Sequence, residues 1–347
     1  MKGNEALAEG AVRAGCRAYF GYPITPSSEI AEYMARKYPK IGGTFLQAES
    51  ELAAINMVYG AAAAGARVMT ASSGPGISLK QEGISFLAEA ELPCVIVNIS
   101  RGGPGLGGIQ PAQSDYFQAT RGGGHGDYHI MVLAPAGVQE MMDLAIEAFE
   151  LADKYRIPVM IMAEGTLGQM MEPVVLREQV AEFYNKPWAT TGCKNRKPNI
   201  INTLHLSPDV LEQRNVHLQN KYINIKLREK RAETYMTEDA DIVVVAFGIM
   251  ARVARKSIME VRKQGVKVGL IRPITLWPFP DDVVEKVSDT AKIFLSLEIS
   301  MGQMVEDIKL AVNGRRPVDF YGRIGITPNP EEVSKRLLML AAEEGLR

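Results

Sequence analysis

A chain of 347 residues has room for two ordinary domains, and 46% hydrophobic with 23% charged residues is the make-up of a well-packed globular protein. Lys and Arg number 39 against 40 Asp and Glu, so the net charge of −1 excludes the basic excess of a general nucleic-acid binder. No apolar run reaches the roughly 18 residues of a bilayer span. Met1-Lys2-Gly3-Asn4-Glu5 opens no signal peptide, and the expected location is the cytoplasm. Cys16, Cys94 and Cys193 are too scattered for a disulfide framework or for a cluster held by this chain alone.

Up to about residue 165, short apolar runs alternate with longer amphipathic ones. Strands are predicted at 17–22, 44–47, 67–70, 93–99, 130–133 and 158–162, with helices at 26–38, 49–64, 79–89 and 138–154 between them. This alternation predicts an α/β fold with a parallel sheet covered on both faces. From about 176 to 237 the character changes. Between Lys186 and Arg231 there are ten Lys or Arg and only three Asp or Glu. A short extended piece at 199–202 and one long polar helix over 208–235, capped by Ser207, predict a connector. Strand patterns return at 241–247, 267–271, 292–297 and 317–321, with helices at 250–263, 281–288, 302–312 and 331–344. The predicted organisation is therefore a first domain over 1–175, a basic connector over 176–237 and a second, smaller α/β domain over 238–347.

The chemistry-bearing segments sit where strands end. In Gly21-Tyr22-Pro23-Ile24-Thr25-Pro26-Ser27, Thr25 is placed as an N-cap with Pro26 opening the helix, its hydroxyl at the carboxyl end of a parallel strand where such sheets bind ligands. Glu49-Ser50-Glu51 opens a helix that is otherwise nearly uncharged and dense in Ala and Gly, which predicts burial at a domain or subunit interface. Acids in a first turn usually serve the helix dipole, but a carboxylate entering a buried helix needs a specific partner. Ser72-Ser73-Gly74-Pro75-Gly76 lets an anion or a flat ring approach backbone; it has neither the P-loop lysine nor a Gly-x-Ser-x-Gly elbow.

Arg101 follows a strand and precedes a glycine loop over 102–108. Gly103, Gly105 and Gly108 formally match Gly-x-Gly-x-x-Gly, but Pro104 does not suit a helix starting there, so carboxylate capture by the arginine is the better reading. His125, Asp127 and His129 alternate along an extended segment, which sends neighbours apart and argues against a metal cluster; no metal site is assigned. His205 and His217, in the connector, are expected to face solvent.

Taken together, Glu51, Gly60 nine residues on, Gly65 and Ser73-Gly74-Pro75-Gly76 resemble the pyrimidine-binding domain of thiamine diphosphate enzymes. With Tyr22-Pro23-Ile24-Thr25-Pro26-Ser27, Glu49-Ser50-Glu51, Leu92-Pro93 and Arg101, residues 3–175 resemble the alpha subunit of 2-oxoacid:ferredoxin oxidoreductases. Ala246-Phe247-Gly248, Leu270-Ile271-Arg272-Pro273 and Gly302-Gln303 are similar to that family's transketolase-C-like domain. The resemblance implies that Glu51 binds N1′ of the cofactor's aminopyrimidine and is the catalytic residue. Pro23, Ser73 and Gly74 are implied to line the cofactor, and Thr25 and Arg101 to meet the substrate's carbonyl region and carboxylate.

Thiamine enzymes hold the diphosphate through Mg²⁺ with a Gly-Asp-Gly motif, and the only Gly-Asp in this sequence, Gly126-Asp127, is followed by Tyr128. The resemblance therefore implies half of an active site. A beta subunit would supply Mg²⁺ and diphosphate binding, and gamma and ferredoxin-like subunits would complete a dimer of hetero-oligomers. Iron–sulfur clusters on the partners would pass electrons to ferredoxin, and coenzyme A would accept the acyl group. The 102–115 and 122–127 segments look most like the branched-chain subtype acting on 2-oxoisovalerate; the 2-oxoglutarate subtype is the alternative, with Arg121 the nearby cation for a second carboxylate. A non-catalytic assembly scaffold is the competing class. The connector's Lys221, Lys226, Arg228, Lys230 and Arg231 form either a solvated face or a dock for an acidic subunit.

Overall fold

The computed structural model describes residues 1–178 and 184–346, and its first element is one that the pattern passes over. Gly3–Arg13 (α1) is buried along nearly its whole length. Its small residues allow this: a Cβ on Gly10 would lie 2.5 Å from the Met142 carbonyl oxygen. Then follow Ala18–Gly21 (β1), Ser28–Ile41 (α2), Thr44–Gln47 (β2), Glu51–Ala63 (α3), Val68–Ser72 (β3), Pro75–Glu89 (α4) and Cys94–Ser100 (β4). Tyr116–Arg121 (α5), Met131–Leu133 (β5), Val138–Tyr155 (α6), Pro158–Glu164 (β6) and Gly165–Gln169 (α7) complete this part. β3, β4 and β6 are buried at every residue, as continuous apolar runs in a doubly covered parallel sheet should be.

The connector differs from its expected form. Pro208–Arg228 (α8) stops seven residues before the predicted end, and Ala232–Tyr235 (β7) is an edge strand instead. Backbone pairing decides this, since β7 runs antiparallel to a strand of the second sheet, with Thr234 opposite Ile271. Nor is α8 merely a solvated helix: Leu218, Tyr222 and Ile225 are buried. The segment 179–183, inside the predicted connector, lies outside the described residues.

The remaining elements are Ile242–Val245 (β8), Gly248–Arg262 (α9), Val268–Pro273 (β9), Thr275–Trp277 (β10), Asp281–Val287 (α10), Ile293–Glu298 (β11), Met304–Val312 (α11), Val318–Gly322 (β12) and Pro330–Glu343 (α12). One sheet has the order β10-β5-β6-β4-β3-β1-β2 and the other β12-β11-β8-β9-β7. β10 was not anticipated. It leaves the second sheet's neighbourhood and pairs antiparallel with β5, tying the two parts of the chain together. Among the described residues, no helix is long and apolar enough to cross a membrane.

Candidate active site

The carboxyl ends of β1, β2, β3 and β4 deliver the predicted residues to one region. After β1 the chain turns through Pro23 and Thr25, both exposed, before α2. Thr25 does not cap that helix, as the spacing suggested. The helix starts at Ser28, Ser27 occupies the cap position, and the Ser27 hydroxyl donates to the Ile24 carbonyl at 2.9 Å. The tight Ile24–Ser27 turn takes up the two extra residues and leaves the Thr25 side chain exposed.

Arg101, immediately after β4, is buried and reaches across to this loop. Its Nη1 donates to the Thr25 carbonyl at 2.9 Å and its Nη2 to the Leu106 carbonyl at 3.1 Å, while Nε has no partner. The same guanidinium lies over Gly74, the residue before α4, where φ is +46° and a Cβ would stand 3.3 Å from Nε. Glycine is required at Gly74 for both its left-handed backbone and this close approach. The 102–108 loop folds back on itself through Gly108 N–H to the Gly102 carbonyl at 2.8 Å, and no helix begins inside it.

Glu51 begins α3 behind the Ser50 cap, whose hydroxyl accepts from Ala53 N–H at 3.1 Å, and its side chain is buried. It faces the α4 turn at Gly76. A Cβ on Gly76 would lie 2.6 Å from Glu51 Oε1 and 2.2 Å from Ser72 Oγ. The Ser72-to-Gly76 turn thus touches Arg101 through Gly74 and Glu51 through Gly76. Thr25, Arg101, Gly74 and Glu51 are gathered around one turn, with Pro23 on the outer loop.

Polar groups here are left without partners. The hydroxyls of Thr70, Ser72 and Ser73, Asn98 Oδ1 and Arg101 Nε are all buried and unbonded, a concentration that points to a ligand or partner group. Asp115, which accepts from Asn98 Nδ2 at 2.9 Å, has its carboxyl raised by burial.

Sequence reasoning missed Lys80. It sits on α4 with its side chain wholly buried and its ammonium unbonded, and burial pushes its pKa down to about 8 against the opposing pull of Glu51. It also missed Glu164, at the end of β6, and Glu298, at the end of β11, both buried. Each is the last polar residue of an apolar strand, a signal that could have marked them.

The other residues singled out lie elsewhere. His125 and Asp127 are exposed, whereas His129 stacks on Trp277 at 4.5 Å between ring centroids, so the three do not converge. Burial, with Lys226 and Arg121 nearby, holds the His129 pKa down at about 4. His205 is half-buried rather than solvent-facing, with its Nε2 3.0 Å from Glu89. His217 keeps an exposed ring but contacts Glu91 at 3.1 Å. Of the five connector cations, Lys221 pairs with Glu91 at 3.0 Å, Lys230 with Asp281, and Arg231 with Glu147 and Glu229. These three are committed within the chain, which leaves little for a docking face. Arg121 is bonded through both amino groups to Asp307, at 3.1 and 3.0 Å.

Residues 9–240 match the family described as "Pyruvate flavodoxin/ferredoxin oxidoreductase, thiamine diP-bdg", and residues 240–333 match "Pyruvate:ferredoxin oxidoreductase core domain II". The chain belongs to this family of thiamine diphosphate-binding oxidoreductases. It is 56% identical over 326 residues to the ketoisovalerate oxidoreductase subunit VorB of Methanothermobacter thermautotrophicus, covering 94% of this chain and 92% of that one. The 2-oxoglutarate synthase subunit KorA of Methanocaldococcus jannaschii is 39% identical over 363 residues, covering 97% and 98%. Among solved structures, the 2-oxoglutarate:ferredoxin oxidoreductase of Magnetococcus marinus, with 2-oxoglutarate, coenzyme A and succinyl-CoA bound, superposes with a TM-score of 0.86 at 28% identity. That match covers all of this chain and 65% of the other. An inactive split-gene transketolase tetramer shares the fold alone, at a TM-score of 0.61 and 13% identity.

The residues present fit part of the family's cofactor. A buried carboxylate beside unbonded hydroxyls and a glycine turn suits a flat heterocycle with ring nitrogens. No group of three or more His, Cys, Asp or Glu side chains that could hold a metal ion occurs among the described residues.

Proposed function

We propose that this chain supplies the substrate-anchoring and aminopyrimidine-binding half of the active site in a multisubunit 2-oxoacid:ferredoxin oxidoreductase acting on 2-oxoisovalerate. The observation that carries the reading is the placing of Glu51 and Arg101 on either side of one glycine turn, among unpartnered buried hydroxyls. When bound, thiamine diphosphate supplies the carbanion equivalent that allows a 2-oxoacid to lose carbon dioxide.

The chain's own residues do the rest by position. Glu51 holds a ring nitrogen of the cofactor through its carboxylate. Arg101, a planar fork fixed by two backbone carbonyls, presents its remaining N–H groups to the substrate carboxylate. The exposed Thr25 hydroxyl orients the carbonyl end. Ser73, Gly74 and Pro23 line the approach.

The branched-chain substrate is favoured by the similarity to the ketoisovalerate enzyme and by Arg121. The cation that sequence offers for a second carboxylate is instead bonded to Asp307. A partner supplying Mg²⁺ and diphosphate binding is supported by Tyr22, Leu52 and Leu79, apolar side chains exposed beside the site residues. On this reading the beta, gamma and ferredoxin-like subunits carry the metal and iron–sulfur clusters, electrons pass to ferredoxin, and coenzyme A takes the acyl group.

Glu51→Gln in the assembled complex is the test. The expected result is turnover reduced by about 100-fold or more with assembly intact. Unchanged turnover would favour an assembly scaffold.

A further inference from the structure

Lys80 has no role in the site as described, yet it is buried beside it. Its whole side chain is buried and its ammonium finds no hydrogen-bond partner, although an unpaired buried charge is among the most unfavourable groups a fold can carry. Its position on α4 is informative. Gly76, one helical turn earlier, is the point where Glu51 Oε1 comes within 2.6 Å of a would-be Cβ, and Gly83, one turn later, meets Ile55 Cγ2 at 2.6 Å. Residues 76, 80 and 83 therefore share the α4 face turned to α3, while Glu51 and Ile55 share the α3 face turned to α4. The two glycines let the helices close, and the lysine between them is shut into the seam. Among the described residues, Glu51 is the ionic group that acts on Lys80, and desolvation is the opposing influence.

We infer that Lys80 is a positioning residue whose ammonium is the internal counter-charge of Glu51, setting how readily that carboxylate exchanges a proton with the ring nitrogen it holds. The inference rests on the reading of Glu51 given above. The carboxylate favours the charged lysine against the desolvation that opposes it. A lysine kept only for packing has no need of a charge here, because methionine fills a similar volume without desolvating one.

Two variants test this. In the assembled oxidoreductase, Lys80→Met removes the charge while keeping an unbranched side chain of similar volume. It is expected to lower kcat by about tenfold and to change the pH dependence of thiamine diphosphate affinity, followed by calorimetry. Binding curves that superpose on the wild type at every pH overturn the inference. The second measurement needs no turnover and does not depend on Lys80→Met folding. In the full chain labelled with ¹³Cε-lysine, Glu51→Gln is expected to move the Lys80 titration below its starting point of about 8. An unmoved midpoint also overturns the inference. The two readings fail separately. Full turnover in Glu51→Gln refutes the role of Glu51, whereas a dead Glu51→Gln with an unmoved lysine refutes only that of Lys80.

Discussion

Glu164 offers the clearest quantitative check on how the two parts of the chain are joined. It ends β6, opposite Ser100 of β4, and its carboxylate accepts from the Ile249 N–H at the start of α9. The fit is close: Gly248 has φ +57°, and a Cβ there would stand 2.7 Å from Glu164 Oε1. Complete burial pushes the carboxyl from 4.5 up to about 7, although the Ile249 N–H pulls the other way. A raised carboxyl contributes stability that is fully present below pH 4.5 and is lost as pH rises through about 7, because the folded state must then hold a buried anion. Over the whole window this amounts to about 3 kcal/mol. Glu164→Gln keeps an acceptor for the same N–H and stays neutral throughout. Thermal unfolding of both proteins across the pH range should show the variant gaining on the wild type by about 2 to 3 kcal/mol between pH 5 and pH 8. For a chain of this length that is roughly 3–4 °C. Other carboxylates titrate in both proteins and cancel. A difference that stays constant from pH 5 to pH 8 would refute the account of Glu164 as a protonated clamp.

Two further outcomes follow from contacts that leave no slack. Gly76→Ala puts a methyl 2.2 Å from Ser72 Oγ and 2.6 Å from Glu51 Oε1, so it should cost about 1–3 kcal/mol of stability and displace the carboxylate. Calorimetry with the assembled complex should then register weaker thiamine diphosphate binding; undiminished affinity would place Glu51 away from the cofactor. Lys221→Met removes a 3.0 Å partner from Glu91, whose carboxyl, despite burial, is held at about 2 by Lys221 and Arg214. That depressed carboxyl contributes stability present above 4.5 and lost as pH falls through about 2. The variant should therefore be weaker by about 1–2 kcal/mol at neutral pH, after allowance for solvent screening, with the gap closing in acid. Native mass spectrometry should find subunit assembly unaltered; weakened assembly would restore the connector as a docking face.

Much of this architecture is written in hydrophobic period. β3, β4 and β6 are legible because strands buried on both faces must be apolar at every position, and α6 because its apolar residues recur at helical spacing. The misses have physical causes. α1 has no apolar stripe, since its Ala and Gly residues admit neighbours on several sides, and burial there follows from smallness rather than hydrophobicity. β7 continues the charged run of α8 and becomes a strand only because β9 offers an edge to pair with. β10 is three residues long, too short for any period, and depends on β5.

The site divides along the same line. Glu51, Gly74 and Arg101 were legible as motifs because each stands at a strand end or helix start, whereas the cap read at Thr25 falls at Ser27 because the Ile24–Ser27 turn delays the helix. Lys80 was not legible. In Leu79-Lys80-Gln81-Glu82-Gly83 it reads as part of a solvated face, because its polar neighbours give no apolar period there. Its burial is imposed by α3, which comes close only because Gly76 and Gly83 have no side chains to hold it off. A charge trapped by the approach of a second helix is invisible to hydrophobic period. The sequence clue is the pair of glycines flanking the lysine on one face, which marks where that second helix must come.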